Sequence, residues 1–128
     1  MIFGIGVDTI ELARVERALQ STAFAERVFT PDELALPLPS IAARFAAREA
    51  AVKALRGLHG LELRDLAVDR IPLGAPAFVR TPRLDAVLAS IGVGALHLSL
   101  SHDRSTATAF VIAETAAPGP RPTHRGAP

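Results

Sequence analysis

Apolar and polar positions follow two different periods along this chain. Residues 2–8 set Ile and Val against glycine and stop at Asp8, the pattern of a short buried strand reaching a polar rim. Leu96, Leu98 and Leu100 alternate with His97, Ser99 and Ser101 before His102 and Asp103, which predicts a half-buried strand. Residues 106–113 supply a last strand. Elsewhere the period lengthens. Residues 11–20 read as a helix. Thr30-Pro31-Asp32-Glu33 carries the signature of a capping box and opens a short helix that Pro37 and Pro39 end. Ser40 then caps a longer helix over residues 41–56, terminated by Gly57. Residues 66–71 and 77–80 read as two strands joined through Pro72-Leu73-Gly74-Ala75-Pro76, and Thr81-Pro82 opens a helix closed by Gly92. From Pro118 onward no apolar period remains. The chain therefore divides into one domain, residues 1–114, and a disordered tail, residues 115–128.

The long helix is the most informative segment. At about 100° per residue, Ala43, Ala46, Ala47, Ala50, Ala51 and Ala54 fall on one arc, which permits close packing against another element. The opposite half mixes Arg44, Arg48, Glu49, Lys53 and Arg56 with Ile41, Phe45 and Val52. That is not the composition of a simply solvated face.

Composition narrows the function classes. With 128 residues, 49% of them hydrophobic, the chain suffices for one core and not for two ordinary domains. Its net charge is +1, or −1 for residues 1–114 once Arg121 and Arg125 are set aside, so a generally basic nucleic-acid binder is not expected. Trp and Tyr are absent, which leaves few stacking platforms for single strands. Having no cysteine, the chain must bind any metal through oxygen or imidazole, and it suits a reducing cytoplasm. The N-terminal apolar run meets Asp8 within a strand length and lacks a cationic start, so neither a signal peptide nor a membrane span is expected.

Singly, each candidate for chemistry has a plain structural explanation. Asp8 can cap the helix that follows. Glu49 and Lys53, four apart in the favourable orientation, can be a surface pair contributing about 0.3–0.5 kcal/mol. His102 can be a rim residue, and Gly74 and Pro76 need only make a turn.

Together and in order they form a pattern. Gly4-Ile5-Gly6-Val7-Asp8, Phe24-Ala25-Glu26-Arg27-Val28-Phe29-Thr30, the long run from Ala43 through Arg44-Phe45-Ala46-Ala47-Arg48-Glu49-Ala50-Ala51-Val52-Lys53 to Leu55, Gly74-Ala75-Pro76 and His97-Leu98-Ser99-Leu100-Ser101-His102 resemble the holo-[acyl-carrier-protein] synthases, 4′-phosphopantetheinyl transferases. The resemblance covers residues 1 to about 114, and its central run is the specific part. It implies an α+β fold with a long helix on a mostly antiparallel sheet, assembled as a homotrimer with sites between subunits. It also implies transfer of 4′-phosphopantetheine from coenzyme A to a serine of an acyl carrier protein, with Mg2+ required and 3′,5′-ADP released.

On this resemblance Asp8 and Glu49 are the metal carboxylates, and Lys53 completes the catalytic set. Arg44 and Arg48, sharing a ridge, suit the 3′-phosphate of coenzyme A, since guanidinium bonds phosphate bidentately. Lys53, Gly74, Pro76, Ser101, His102 and Asp103 complete the coenzyme-binding set. Arg14 matches a docking arginine for the acidic carrier, with Arg17 beside it. The base for the serine stays open among Glu49, a metal-bound water and a neighbouring group. The segment between Phe29 and Ala43 is shorter than in many relatives, and Ala75 stands where a basic residue is common. A non-catalytic carrier-protein or coenzyme A binding module, and a Mg2+-dependent phosphate-ester hydrolase, are the competing readings.

Overall fold

Strand β1 (Ile2–Glu11) is longer than its alternating pattern indicates. In the computed structural model, which describes residues 1–70 and 74–117, β5 (Thr106–Thr115) pairs with it down to Glu11↔Thr106. Leu12 N–H then bonds Ser105 O at 2.9 Å. A long partner strand therefore holds residues 9–11 extended, and helix α1 (Leu12–Ala18) begins only after Glu11. The sheet is antiparallel in the order β1-β5-β4, with β4 spanning Val93–His102. A separate antiparallel pair joins β2 (Val68–Arg70) and β3 (Pro76–Phe78). The expected tail starts too early at residue 115, since pairing with β1 and β4 carries β5 through Thr115. Ile71, Pro72 and Leu73 of the connection, and the tail beyond Ala117, lie outside the described residues.

Helices fill one side. α2 (Thr22–Val28), which the apolar pattern does not disclose, is capped by Ser21, whose Oγ accepts from Phe24 N–H at 3.2 Å. α3 (Pro31–Leu34) has the expected capping box: Glu33 N–H donates to Thr30 Oγ1 at 3.3 Å, and Thr30 N–H donates to Glu33 Oε1 at 2.9 Å. α4 (Leu38–Leu55) begins earlier than residue 41. Proline tolerates the first helical turn, whose amides lack intrahelical acceptors anyway, so Pro39 opens this helix rather than ending the previous one, and Ser40 is not its cap. At the other end Arg56 itself turns left-handed, φ 61°, before Gly57. α5 (Pro82–Ser90) starts at Thr81, whose Oγ1 accepts from Leu84 N–H at 3.2 Å.

The alanine arc of α4 lies buried against the sheet face formed by Gly4, Gly6 and Ile10 of β1 and Ala107, Ala109, Val111 and Ala113 of β5. Helix and strand come close enough that a Cβ on Gly6 would overlap the backbone carbonyl of Ala50, and one on Gly4 the carbonyl of Ala54. Backbone cannot yield as a flexible side chain can. Gly6→Ala is accordingly expected to cost about 1–3 kcal/mol or more, read as a lowered urea midpoint. This contact matters for function because it fixes the register between the strand bearing Asp8 and the helix bearing Glu49.

Candidate active site

Two residues beyond Gly6, Asp8 faces α4 from β1, on the row Asp8↔Ala109↔Leu100. Glu49 and Lys53 come from α4, one turn apart. Lys53 Nζ donates to Val7 O at 2.9 Å and lies 3.3 Å from Asp8 Oδ1. Asp8 and Glu49 line one cavity of about 300 Å3 with Thr9, Ile10, Arg14 and Phe45. Burial raises the Glu49 carboxyl above its ordinary value, and the Asp8 charge raises it further, against the lowering influence of Lys53 and Arg14. Two acids 41 positions apart in sequence thus share a water-accessible recess and repel one another there.

That arrangement suits a hard cation. Among the described residues there is no cluster of three or more metal-ligating side chains. Two convergent carboxylates nevertheless fit Mg2+, which is usually bound by one or two carboxylates and completes its shell with water and phosphate oxygens.

Arg14 reaches the cavity from α1, which its expected docking role did not anticipate. It also borders an apolar recess of about 160 Å3 with Ile10, Val15, Ala18, Phe24 and Phe45. Arg17, one turn on, is exposed and lines neither recess.

Arg48 does not behave as expected. Its guanidinium is fully buried, donating to Glu33 Oε1 at 2.6 Å, to Glu33 Oε2 at 3.0 Å and to Leu63 O at 2.8 Å, with the Phe29 ring 5.1 Å away. A cation so committed cannot serve an incoming phosphate, and the expectation of a shared Arg44–Arg48 phosphate ridge is corrected at Arg48. Its spacing on α4 is real, but α3 and residues 63–68 cover that side. Glu33, legible in sequence only as a capping residue, is the hub: it also accepts from Val68 N–H at 3.3 Å. Burial pushes this carboxyl up, yet the Arg48 hydrogen bonds and charge, with the Thr30 and Val68 amides, hold it below its ordinary value. No local signal joins residues 33, 48 and 68.

Arg44 is also mostly buried, donating to Ser40 O at 3.2 Å and Val68 O at 3.4 Å. It lines a different, larger cavity of about 720 Å3 between α3, α4 and β2, not the one holding Asp8 and Glu49. Burial lowers its pKa.

Ser101, His102 and Asp103 lie exposed at the end of β4, two strands from β1. Asp103 accepts from Ser105 N–H at 2.9 Å, Thr106 N–H at 2.8 Å and Thr106 Oγ1 at 3.1 Å, and these bonds, the Ser105 amide first, lower its pKa. Gly74, at φ 75°, offers its carbonyl to Arg70 Nη1 at 2.6 Å, and Pro76 begins β3. None of these five lines the Asp8–Glu49 cavity within one chain.

The 4′-phosphopantetheinyl transferase superfamily model ACPS matches residues 4–111. The chain belongs to this superfamily. Among its phosphopantetheinyl transferase relatives, the holo-[acyl-carrier-protein] synthase of Clavibacter michiganensis subsp. michiganensis is 46% identical over 119 residues, 92% of this chain and 100% of the relative. The crystal structure of the Neisseria meningitidis holo-[acyl-carrier-protein] synthase superposes with a TM-score of 0.81 at 38% identity, over 90% of this chain and 100% of that one. That of Helicobacter pylori, solved in complex with coenzyme A, gives 0.75 at 31% identity, over 86% and 99%. Superfamily membership thus agrees with the α+β architecture of the chain. Among the described residues no helix is long and apolar enough to cross a membrane.

Proposed function

We propose that this chain is a cytoplasmic holo-[acyl-carrier-protein] synthase that transfers 4′-phosphopantetheine from coenzyme A to a serine of an apo acyl carrier protein. The observation that carries the reading is the convergence of Asp8, Glu49 and Lys53 on one recess, in a chain 46% identical to a holo-[acyl-carrier-protein] synthase along that relative's whole length. A retained set of two acids and a lysine disfavours the non-catalytic binding module.

Asp8 and Glu49 would hold Mg2+, which when bound supplies positive charge to the diphosphate oxygens. Lys53, exposed over 56% of its side chain, is free to move from Asp8 to a phosphate oxygen and to neutralise the leaving group. The serine Oγ forms a bond to the phosphorus nearest pantetheine as the bond to the 3′,5′-ADP oxygen breaks, and the hydroxyl proton leaves to a base. Phosphoryl transfer of this kind depends mainly on alignment and charge neutralisation, which a rigid strand and helix in backbone contact provide. Arg14 and Arg17 would meet the acidic carrier, with the apolar recess beside Arg14 taking an apolar side chain.

The reading includes a homotrimer. Ile5, Val7 and Phe110 on the sheet face turned away from α4 are 53%, 51% and 40% exposed, and their cross-strand neighbours include Ile112 and Ser99. An unbacked face of this kind suits burial against further copies. Assembly would also give Gly74, Pro76, Ser101, His102 and Asp103 a neighbour's recess to complete on the nucleotide side, with Arg44 left as the buried arginine nearest that role. Sedimentation of the purified chain should give three times the monomer mass.

The deciding experiment is mass spectrometry of apo carrier proteins incubated with the chain, coenzyme A and Mg2+. A phosphopantetheine mass gain that disappears with chelator is expected. No gain on several carriers would favour the binding module, and 3′,5′-ADP release without any carrier would favour a hydrolase.

A further inference from the structure

The charges already present around the Asp8–Glu49 recess bear on how a cation enters it, an inference that rests on the functional reading above. Lys53 Nζ sits 3.3 Å from Asp8 Oδ1 and is anchored by Val7 O at 2.9 Å. Its ammonium therefore offsets charge on a carboxylate that the functional reading gives to the metal. Arg14 lines the same recess as Glu49. Two carboxylates are thus matched by two of the chain's own cations.

A dication arriving alone beside Lys53 and Arg14 leaves the cluster with two excess positive charges. Lys53, 3.3 Å from Asp8, lies well within the Debye length of about 8 Å, so salt does not remove its repulsion. A dication arriving with a diphosphate meets a different balance: the phosphates offset its charge, and the ammonium can exchange Asp8 for phosphate oxygens. We propose that Lys53 is an internal counter-ion that keeps a divalent cation from binding strongly by itself, so that cation and diphosphate enter as one charge-matched unit. Catalytic assistance and this gating use the same ammonium at different moments, on Asp8 before loading and on phosphate after it.

The consequence is a reciprocal coupling: the cation tightens coenzyme A by the same factor by which coenzyme A tightens the cation. Calorimetric titration of the whole chain with Mn2+ alone, coenzyme A alone and both together measures it. The wild-type chain should bind Mn2+ alone weakly, and at least about tenfold more tightly once coenzyme A is present, the order expected for removing like charges at this range.

Lys53→Met should bind Mn2+ alone about tenfold more tightly than wild type. Lys53→Arg, which keeps the charge, should retain the weak binding. The side chain is largely solvent-exposed, so neither change threatens the core. If Lys53→Met binds Mn2+ no more tightly, if Lys53→Arg tightens it equally, or if wild type binds Mn2+ alone as strongly as with coenzyme A, the counter-ion role is wrong while the metal site stands. If Mn2+ does not bind even with coenzyme A present, the functional reading itself fails and the gating falls with it.

Discussion

Glu49→Gln is expected to reduce carrier modification by at least about 10²-fold while raising the melting temperature of the chelator-treated protein. The two effects have one cause. Burial and the Asp8 charge disfavour the ionised form of Glu49 in the folded chain, so at neutral pH its negative charge opposes folding. A neutral isostere removes that opposition, and with it half of the oxygen charge available to a cation. Rate measurement by carrier mass gain, paired with thermal melts with and without Mg2+, checks both parts. A variant that turns over normally would remove Glu49 from the proposed metal site. One that loses activity but melts lower without metal would mean that its carboxylate supports the fold instead. Asp8→Asn should lose activity similarly, but its melt is harder to read because Lys53 loses its partner at 3.3 Å.

Arg48→Met is expected to be the most destabilising change to a charged residue, about 3–5 kcal/mol. It strands Glu33 in the interior with no cation, forcing that carboxyl to take up a proton or admit water. Pairing it with Glu33→Met should recover only part of the loss. The apolar pair packs, but the amides of Thr30 and Val68 then lack their acceptor. Urea denaturation of the two single variants and the double variant gives the coupling energy directly. Retention of wild-type stability by Arg48→Met would show that the pair is not needed.

The same pair sets an acid limit. Glu33 is held below its ordinary value of 4.5 in the folded chain, so the unfolded chain binds the proton more readily. Its stabilising contribution is complete above that value and is lost as the pH falls through the lower folded value. In wild type, denaturation midpoints should therefore drop below about pH 4.5, and in the double variant this part of the pH dependence should disappear.

Much of this molecule is legible along the chain, for reasons particular to each element. Thr30 and Thr81 announce helix starts because capping is a local hydrogen bond, satisfied within three residues. The alanine arc of α4 indicates a close partner, and the structure supplies it in the glycines of β1. The motifs around Asp8 and Glu49 carry the family because their residue types match it in spacing and in order.

Where sequence reading fell short, a distant segment decided the outcome. Residues 9–11 form strand because β5 lies alongside them. Pro39 opens α4, and Arg48 turns from a supposed phosphate ligand into a buried partner of Glu33 because α3 folds over that flank. Arg14 joins the Asp8–Glu49 recess because α1 leaves β1 beside Phe45. What the sequence by itself determined is most of the elements, the family and the chemical types available, since periodicity, caps and motif spacing act over a few residues. Only the tertiary structure decided which charges share a recess and which are sealed in the core, because ion pairing and desolvation depend on through-space distance, and chain separation does not report it.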